Sequence, residues 1–221
     1  MLFFQIPSKG DRNYGYLVGC EKTKKAAVID PSPDPKPCFE KARELGLTVE
    51  YIVNTHTHFD HTGGNRFFQT ETNARLITHK SAGTGNTDDT GDTGNITVND
   101  GETLNVGEIT LIFYHTPGHT PESMCILAGN ELMTGDTLFV GKVGGTFGRE
   151  QARVEFESLK KLMTLAPGIR VWPGHNYGVQ PSSTIENELK SNPFILRLNN
   201  FDDFYWLKEN WAAYKQEHGI A

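Results

Sequence analysis

Apolar positions in the first part of the chain fall in short runs broken by glycine, proline and aspartate, which predicts strands. Leu2 to Ile6, Tyr14 to Val18 and Ala26 to Ile29 are three such runs. Pro35 and Pro37 open a helix-like segment that reaches Leu45, with Gly46 as its stop. Val49 to Asn54 then reads as a buried strand that leads directly into Thr55-His56-Thr57-His58-Phe59-Asp60-His61. Arg75 to Thr78 predicts a further strand. From Ala82 to Asn95 glycine, threonine, aspartate and asparagine dominate without apolar periodicity, so an exposed loop is expected, either a lid over a site or a plain solvated connection.

A second β-rich half is expected from Ile96 onward. Ile96 to Val98, Thr103 to Val106, Ile109 to Tyr114, Met124 to Leu127 and Glu131 to Thr134 are short strands separated by turn pairs. Gln151 to Leu165 has helical spacing, with Val154, Leu159, Leu162 and Met163 available for a buried face. Arg170 to Trp172 returns as a strand just before Pro173-Gly174-His175. Ser183 with Glu186 has the form of a capping box, and Asn192-Pro193 should end the helix it starts. A last helix is expected over Phe204 to Glu217, where the Leu207, Trp211 and Tyr214 stripe should pack on the main body. The division expected is a catalytic domain over 1–182 and a short helical extension over 183–221.

Composition narrows the picture. The 221 residues are 37% hydrophobic and 22% charged, with no run approaching the roughly 18 apolar residues of a membrane span. A soluble protein that does not enter membranes is expected. The formal net charge of −6 repels phosphate backbones and argues against a nucleic-acid partner, leaving a small-molecule substrate as the expected one. Cys20, Cys38 and Cys125 are odd in number and widely spaced, which suits neither a disulfide framework nor a thiolate cage. With no basic leader and apolar core at the N-terminus, no export signal is expected, and the compartment expected is the cytoplasm. Oligomeric state is not legible.

Five of the eight histidines, His56, His58, His61, His119 and His175, fall at predicted strand ends or just after them, as do Asp60 and Asp136. Imidazole and carboxylate without cysteine suit catalytic zinc, iron or manganese. In extended backbone alternate side chains share a direction, so His56 and His58 can address one ion while Asp60 and His61 address a second. A lone His-x-His is as common on role-free surfaces. The full His-x-His-x-Asp-His run points to metal.

That run, with Thr116-Pro117-Gly118-His119-Thr120, Gly135-Asp136-Thr137 and Pro173-Gly174-His175, resembles the metallo-β-lactamase superfamily in each of its metal-binding motifs and in their order. The resemblance runs from Val28-Ile29-Asp30-Pro31 to about Tyr177. It implies an α/β fold, a four-layer αβ/βα sandwich of two mixed β-sheets flanked by helices, with metals between the sheets. It further implies His56, His58 and His119 on a first divalent ion, Asp60, His61 and His175 on a second, and Asp136 bridging them. Asp30 matches an acidic position that supports the site from behind, or is a turn-forming residue before Pro31. His115 is expected to back a ligand or to be structural rather than to bind metal itself, and His79 and His218 fit no motif.

Among the superfamily's branches the chain most resembles the glyoxalase II group, in Asn13-Tyr14, Gly135-Asp136-Thr137-Leu138-Phe139 and His175-Asn176-Tyr177. That resemblance implies hydrolysis of glutathione-type thioesters, and two cations would serve it by lowering the pKa of water, so that a metal-bound hydroxide attacks. Zinc is the first expectation, with iron or manganese as alternatives. Asp60 is expected to orient the water or take its proton, and Tyr177 to contact the glutathione moiety or simply pack. The group's Cys-Gly-Arg stretch is replaced by Val140 to Arg149, and its long helical C-terminal region is reduced. Lys142 and Arg149 are candidates to hold substrate carboxylates, or are solvated loop charges. The principal alternative is a mononuclear iron persulfide dioxygenase of the same fold, with His56, His119 and Asp136 as ligands. A lactonase, a nuclease and a non-catalytic metal-binding protein rank below it.

Overall fold

The computed structural model describes residues 1–83 and 95–220. Most of the Ala82 to Asn95 loop, and with it any lid, lies outside the described residues.

Strands β1 (Leu2–Pro7), β2 (Tyr14–Gly19), β3 (Lys25–Ile29), β4 (Thr48–Val53), β5 (Arg75–His79) and β6 (Ile96–Val98) form one sheet in that spatial order. It is mixed: β1 to β3 pair antiparallel and β3 to β6 parallel. The other half contributes β7 (Thr103–Val106), β8 (Ile109–His115), β9 (Met124–Ala128) and β10 (Glu131–Gly135), a small ribbon of β11 (Leu138–Phe139) with β12 (Lys142–Val143), then β13 (Arg170–Pro173) and β14 (Ser183–Thr184). Apart from the ribbon these make a second sheet in the order β14-β13-β10-β9-β8-β7, with β10 and β13 parallel. Helices α1 (Lys36–Glu44), α2 (Phe59–Thr62), α3 (Asn65–Thr72), α4 (Gly148–Leu162), α5 (Ile185–Ser191), α6 (Phe201–Glu209) and α7 (Trp211–His218) complete the chain.

Three apolar cores separate four layers. Strand alternation turns Tyr14, Tyr16, Val18, Ala27 and Ile29 toward Leu111, Phe113, Met124, Ile126 and Met133 of the opposite sheet. The intervening residues Leu17, Ala26, Val28, Val49 and Ile52 face outward onto Cys38 and Ala42 of α1 and Phe68 of α3. A register shift beside Ala26 and Ala27 skips Glu50, which keeps Tyr51 and Val53 on the inner face and Val49 and Ile52 on the outer one. Both faces of β2, β3 and β9 are covered, which is why their sequences are continuous apolar runs without alternation. On the far side, Cys125, Leu127, Leu132 and Val171 meet Ala152, Phe156 and Leu159 of α4 and Phe204 and Leu207 of α6. Each Val, Leu, Ile, Phe or Met among these, when fully buried, contributes about 1.5–3 kcal/mol of transfer free energy.

Several local expectations are corrected. Ile96–Val98 joins the first sheet beside β5, not the second, because a parallel partner across the outer edge is what completes that sheet. Val154 is 44% exposed; the buried stripe of α4 runs through Ala152, Glu155, Phe156, Ser158, Leu159 and Leu162. The α5 cap is Thr184, whose hydroxyl accepts from Asn187 N, while Ser183 pairs in β14. The last helix starts earlier, at Phe201, where Asn200 accepts from Asp202 N, and it is interrupted at Asn210. Helix α3 carried no periodic signal strong enough to read. No helix among the described residues is long and apolar enough to cross a membrane.

Candidate metal centre

All seven candidate ligands follow the C-terminal ends of strands. His56, His58, Asp60 and His61 follow β4 and enter α2; His119 lies between β8 and β9, Asp136 follows β10, and His175 follows β13. Sandwich architecture brings these ends together, and backbone bonds across the sheets hold them: Met124 N donates to Thr55 O at 2.9 Å and Tyr14 N to Gly174 O at 2.8 Å.

The side chains converge. His58 Nδ1 lies 3.0 Å from His56 Nε2 and 3.1 Å from His119 Nε2. His61 Nε2 lies 3.2 Å from His175 Nε2, and Asp60 Oδ2 is 3.3 Å from the latter. Asp136 stands between the groups, Oδ1 facing His61 Nε2 at 3.3 Å and His175 Nε2 at 3.4 Å, Oδ2 facing His119 Nε2 at 3.6 Å. Three sets have their donor atoms within 4.8 Å of one another: His56, His58 and His119; Asp60, His61 and His175; and His56, His61 and Asp136.

A surrounding layer sets which ring nitrogen faces the centre. His61 Nδ1 contacts Asp30 Oδ2 at 2.9 Å, His119 Nδ1 the carbonyl of Gly145 at 2.8 Å, and His175 Nδ1 the carbonyl of Asp11 at 2.8 Å. Each Nδ1–H is therefore donated outward and Nε2 keeps its lone pair for the centre. Thr55 Oγ1 donates to Asp30 Oδ2 and lies 3.0 Å from His56 Nδ1, so Asp30 steadies two of the candidate ligands, one directly and one through Thr55. Of the two sequence readings of Asp30, the geometry matches support from behind. Asn13 Nδ2 donates to Asp60 Oδ2 at 2.9 Å, and buried Glu122 accepts from the backbone and hydroxyl of Thr57, between His56 and His58.

This donor set fits cations. With their Nδ1 protons turned outward, neutral His61 and His175 would oppose lone pairs at 3.2 Å, which requires a proton or a metal between them. Asp136 Oδ1 is buried and accepts no hydrogen bond. Burial, with His61 beside it, pushes His56 well below the ordinary imidazole range. Burial also works against charge on His61, but Asp30 and Asp136 hold it well above that range, and despite burial Asp136 and Asp60 raise His175 to about 9. The His175 contact holds the Asp60 carboxyl far down, and His175 and His61 outweigh burial to do the same for Asp136.

A pH dependence follows. Below about 9 the metal-free His175 carries a proton that an incoming cation must displace, so affinity should rise from pH 6 to 9 with proton release. Chelator-competition titrations across that range check it, and a flat profile would contradict the site.

Around the mouth, Tyr177 stacks on His175 with centroids 4.7 Å apart and donates to Asp11 Oδ2 at 2.7 Å. Lys142 Nζ lies 4.8 Å above the Tyr177 ring and the Arg12 guanidinium 4.7 Å from its centre. Burial, together with Lys215 and Arg12, lowers the Lys142 pKa. Arg149 is elsewhere: it pairs with Asp202 and packs over Phe201 and Tyr205, so its charge is taken up by α6. His79 and His115 stack on each other at 3.7 Å, and His218 stacks on Tyr214. None of the three joins the centre. Sequence reading missed Asp11, Arg12 and Thr55; their adjacency to Asn13 and His56 was visible, but their partners lie far along the chain.

Comparison with known proteins agrees. The model of the metallo-beta-lactamase superfamily matches residues 10–175. The hydroxyacylglutathione hydrolase of Nitrosococcus oceani is 33% identical over 184 residues, 80% of this chain, and the chain spans 65% of that relative's length. A probable polyketide biosynthesis zinc-dependent hydrolase, BaeB of Bacillus velezensis, is 30% identical over 83% of this chain and 81% of its own. The crystal structure of ETHE1 from Myxococcus xanthus superposes with a TM-score of 0.83 at 30% identity, covering 96% of this chain and 91% of that one. The ligand geometry, the two mixed sheets and the family match lead to one conclusion: the chain belongs to the metallo-beta-lactamase superfamily.

Proposed function

We propose that this protein is a metal-dependent hydrolase of thioesters, of the glutathione type or related to it. The observation that carries the reading is the pair of neighbouring nitrogen and oxygen ligand sets with Asp136 between them. His56, His58 and His119 would hold one divalent ion, Asp60, His61 and His175 a second, and Asp136 would serve both; zinc is the first candidate, iron or manganese the alternatives. Bound there, two cations supply Lewis acidity that lowers the pKa of water and stabilises charge developing on a carbonyl oxygen. That the N. oceani and B. velezensis relatives are named as hydrolases supports hydrolysis.

The chain's own residues supply orientation and charge. Asp60, partly exposed and fixed by Asn13, stays ionised and is placed to orient a water or take its proton. The three cysteines are buried, in keeping with solvent as nucleophile. Lys142 and Arg12, 4.8 and 4.7 Å from the centre of the Tyr177 ring, form a cationic mouth suited to a carboxylate-bearing thiol group. Lys142→Ala should raise KM for an anionic thioester more than it lowers kcat, whereas Arg149→Ala should leave KM unchanged because Asp202 already engages Arg149. Equal KM effects from both would remove the mouth assignment.

Persulfide dioxygenation at a single iron is the second reading, since His56, His119 and Asp136 also meet here and the match to the ETHE1 structure covers nearly the whole of both chains. Metal analysis of purified protein, with a lactoylglutathione hydrolysis assay and oxygen consumption on glutathione persulfide, tests both. Thioester turnover without oxygen uptake is the expected result; oxygen uptake with one iron per chain would replace the proposal.

A further inference from the structure

Two charged residues outside the ligand set are buried together behind it. Glu155, on α4, is fully enclosed, and Lys208 reaches it from α6 with its side chain 9% exposed. Their ammonium and carboxylate are in direct contact. A buried ion pair is weak evidence of stabilisation, because its desolvation cost offsets its attraction and apolar residues of similar size do as well. What an ammonium adds over an apolar side chain is direction. Lys208 Nζ spends a second hydrogen bond on the carbonyl of Gly144, at 2.8 Å.

That carbonyl belongs to the segment that positions the metal centre. Gly145, the next residue, accepts the Nδ1–H of His119 at 2.8 Å and so aims the imidazole. Gly144 itself lies flat on the backbone of Asp136: a Cβ there would come within 1.9 Å of Asp136 O, and within 3.3 Å of Glu155 Oε1. On its other side Glu155 presses against Gly118, the residue before His119, where a Cβ would meet the Glu155 backbone and Cβ at 2.4 to 2.8 Å. Glu155 and Lys208 thus touch the supports of both His119 and Asp136 without touching the centre.

We propose that Lys208 and Glu155 are positioning residues of the metal centre, through which helix α6 fixes the Gly144-Gly145 segment and with it the direction of the His119 imidazole. The inference rests on the metal-site reading above and extends it to Glu155 within the matched family region and to Lys208 beyond it. The segment after residue 182 therefore contributes to the centre as well as to the core.

The test is Lys208→Met combined with Glu155→Gln in the full chain, which leaves no buried charge stranded. In this variant His119 should lose its fixed orientation: its Nδ1–H resonance, measured in histidine-labelled protein, should shift and broaden. Zinc affinity by chelator competition should fall tenfold or more for the His119-containing site while the second site keeps its affinity. Lys208→Met alone also removes the bond to the Gly144 carbonyl, while burial favours a neutral, protonated Glu155, and the same signature should appear. An unchanged resonance and unchanged zinc affinity in either folded variant overturn the proposal. If the unsubstituted protein itself binds no zinc, iron or manganese, it is the metal-site reading that fails, a result separable from this one.

Discussion

Asp136→Ala is expected to remove most bound metal and lower turnover about a thousandfold or more, equivalent to about 4 kcal/mol of lost transition-state stabilisation. Among the described residues Asp136 is the one carboxylate whose two oxygens face histidines of both sets, Oδ1 toward His61 and His175 and Oδ2 toward His119. Its loss also leaves His61 with only Asp30, and His175 with only Asp60, of the carboxylates that now favour their charge. The fold should survive, since the carboxylate lines the cavity and the surrounding cores are apolar and independent of it. Metal content by elemental analysis, with kcat/KM on a thioester, reads the effect. A variant that retains both metals and full activity would remove Asp136 from the centre.

Asp30→Asn should have the next largest effect, a drop of about 10- to 100-fold in metal affinity or turnover. Asp30 adopts a left-handed backbone, φ 48°, which asparagine tolerates, so the substitution should not strain the chain. Its effect is chemical. Oδ2 now accepts from both Thr55 Oγ1 and His61 Nδ1. An amide nitrogen there would oppose donor to donor, and His61 can relieve the clash by moving its proton to Nε2, which covers the lone pair the centre uses. Turning the amide over instead would set its nitrogen against Thr55 N, which now donates to Oδ1 at 2.8 Å. Chelator competition and turnover measure the loss; affinity and rate equal to the unsubstituted protein would show that Asp30 acts only as a turn residue.

The convergence of the seven candidate ligands was legible because they are clustered, chemically unusual and unsuited to packing. Four of them occupy one short run after β4, and the apolar runs that precede His56, His119, Asp136 and His175 are continuous enough to be read as strands without an alignment. Mouth residues were legible only in part. Lys142 and Arg149 are alike as cations in one loop, yet α6 brings Asp202 to Arg149 and leaves Lys142 above Tyr177.

Pattern and residue type alone thus pointed to two β-rich halves, the helices α1 and α4 and metal-binding chemistry, since burial periodicity and ligand preference are properties of a stretch of chain and its side chains. What required the folded molecule were relations between residues distant in sequence. These include the pairing of β6 with β5, the break at Asn210, the aim of each imidazole by Asp30, Gly145 or Asp11, and the reach of Lys208 to Glu155 and Gly144. Such contacts depend on distance and angle in space, to which local hydrophobicity and spacing carry no information.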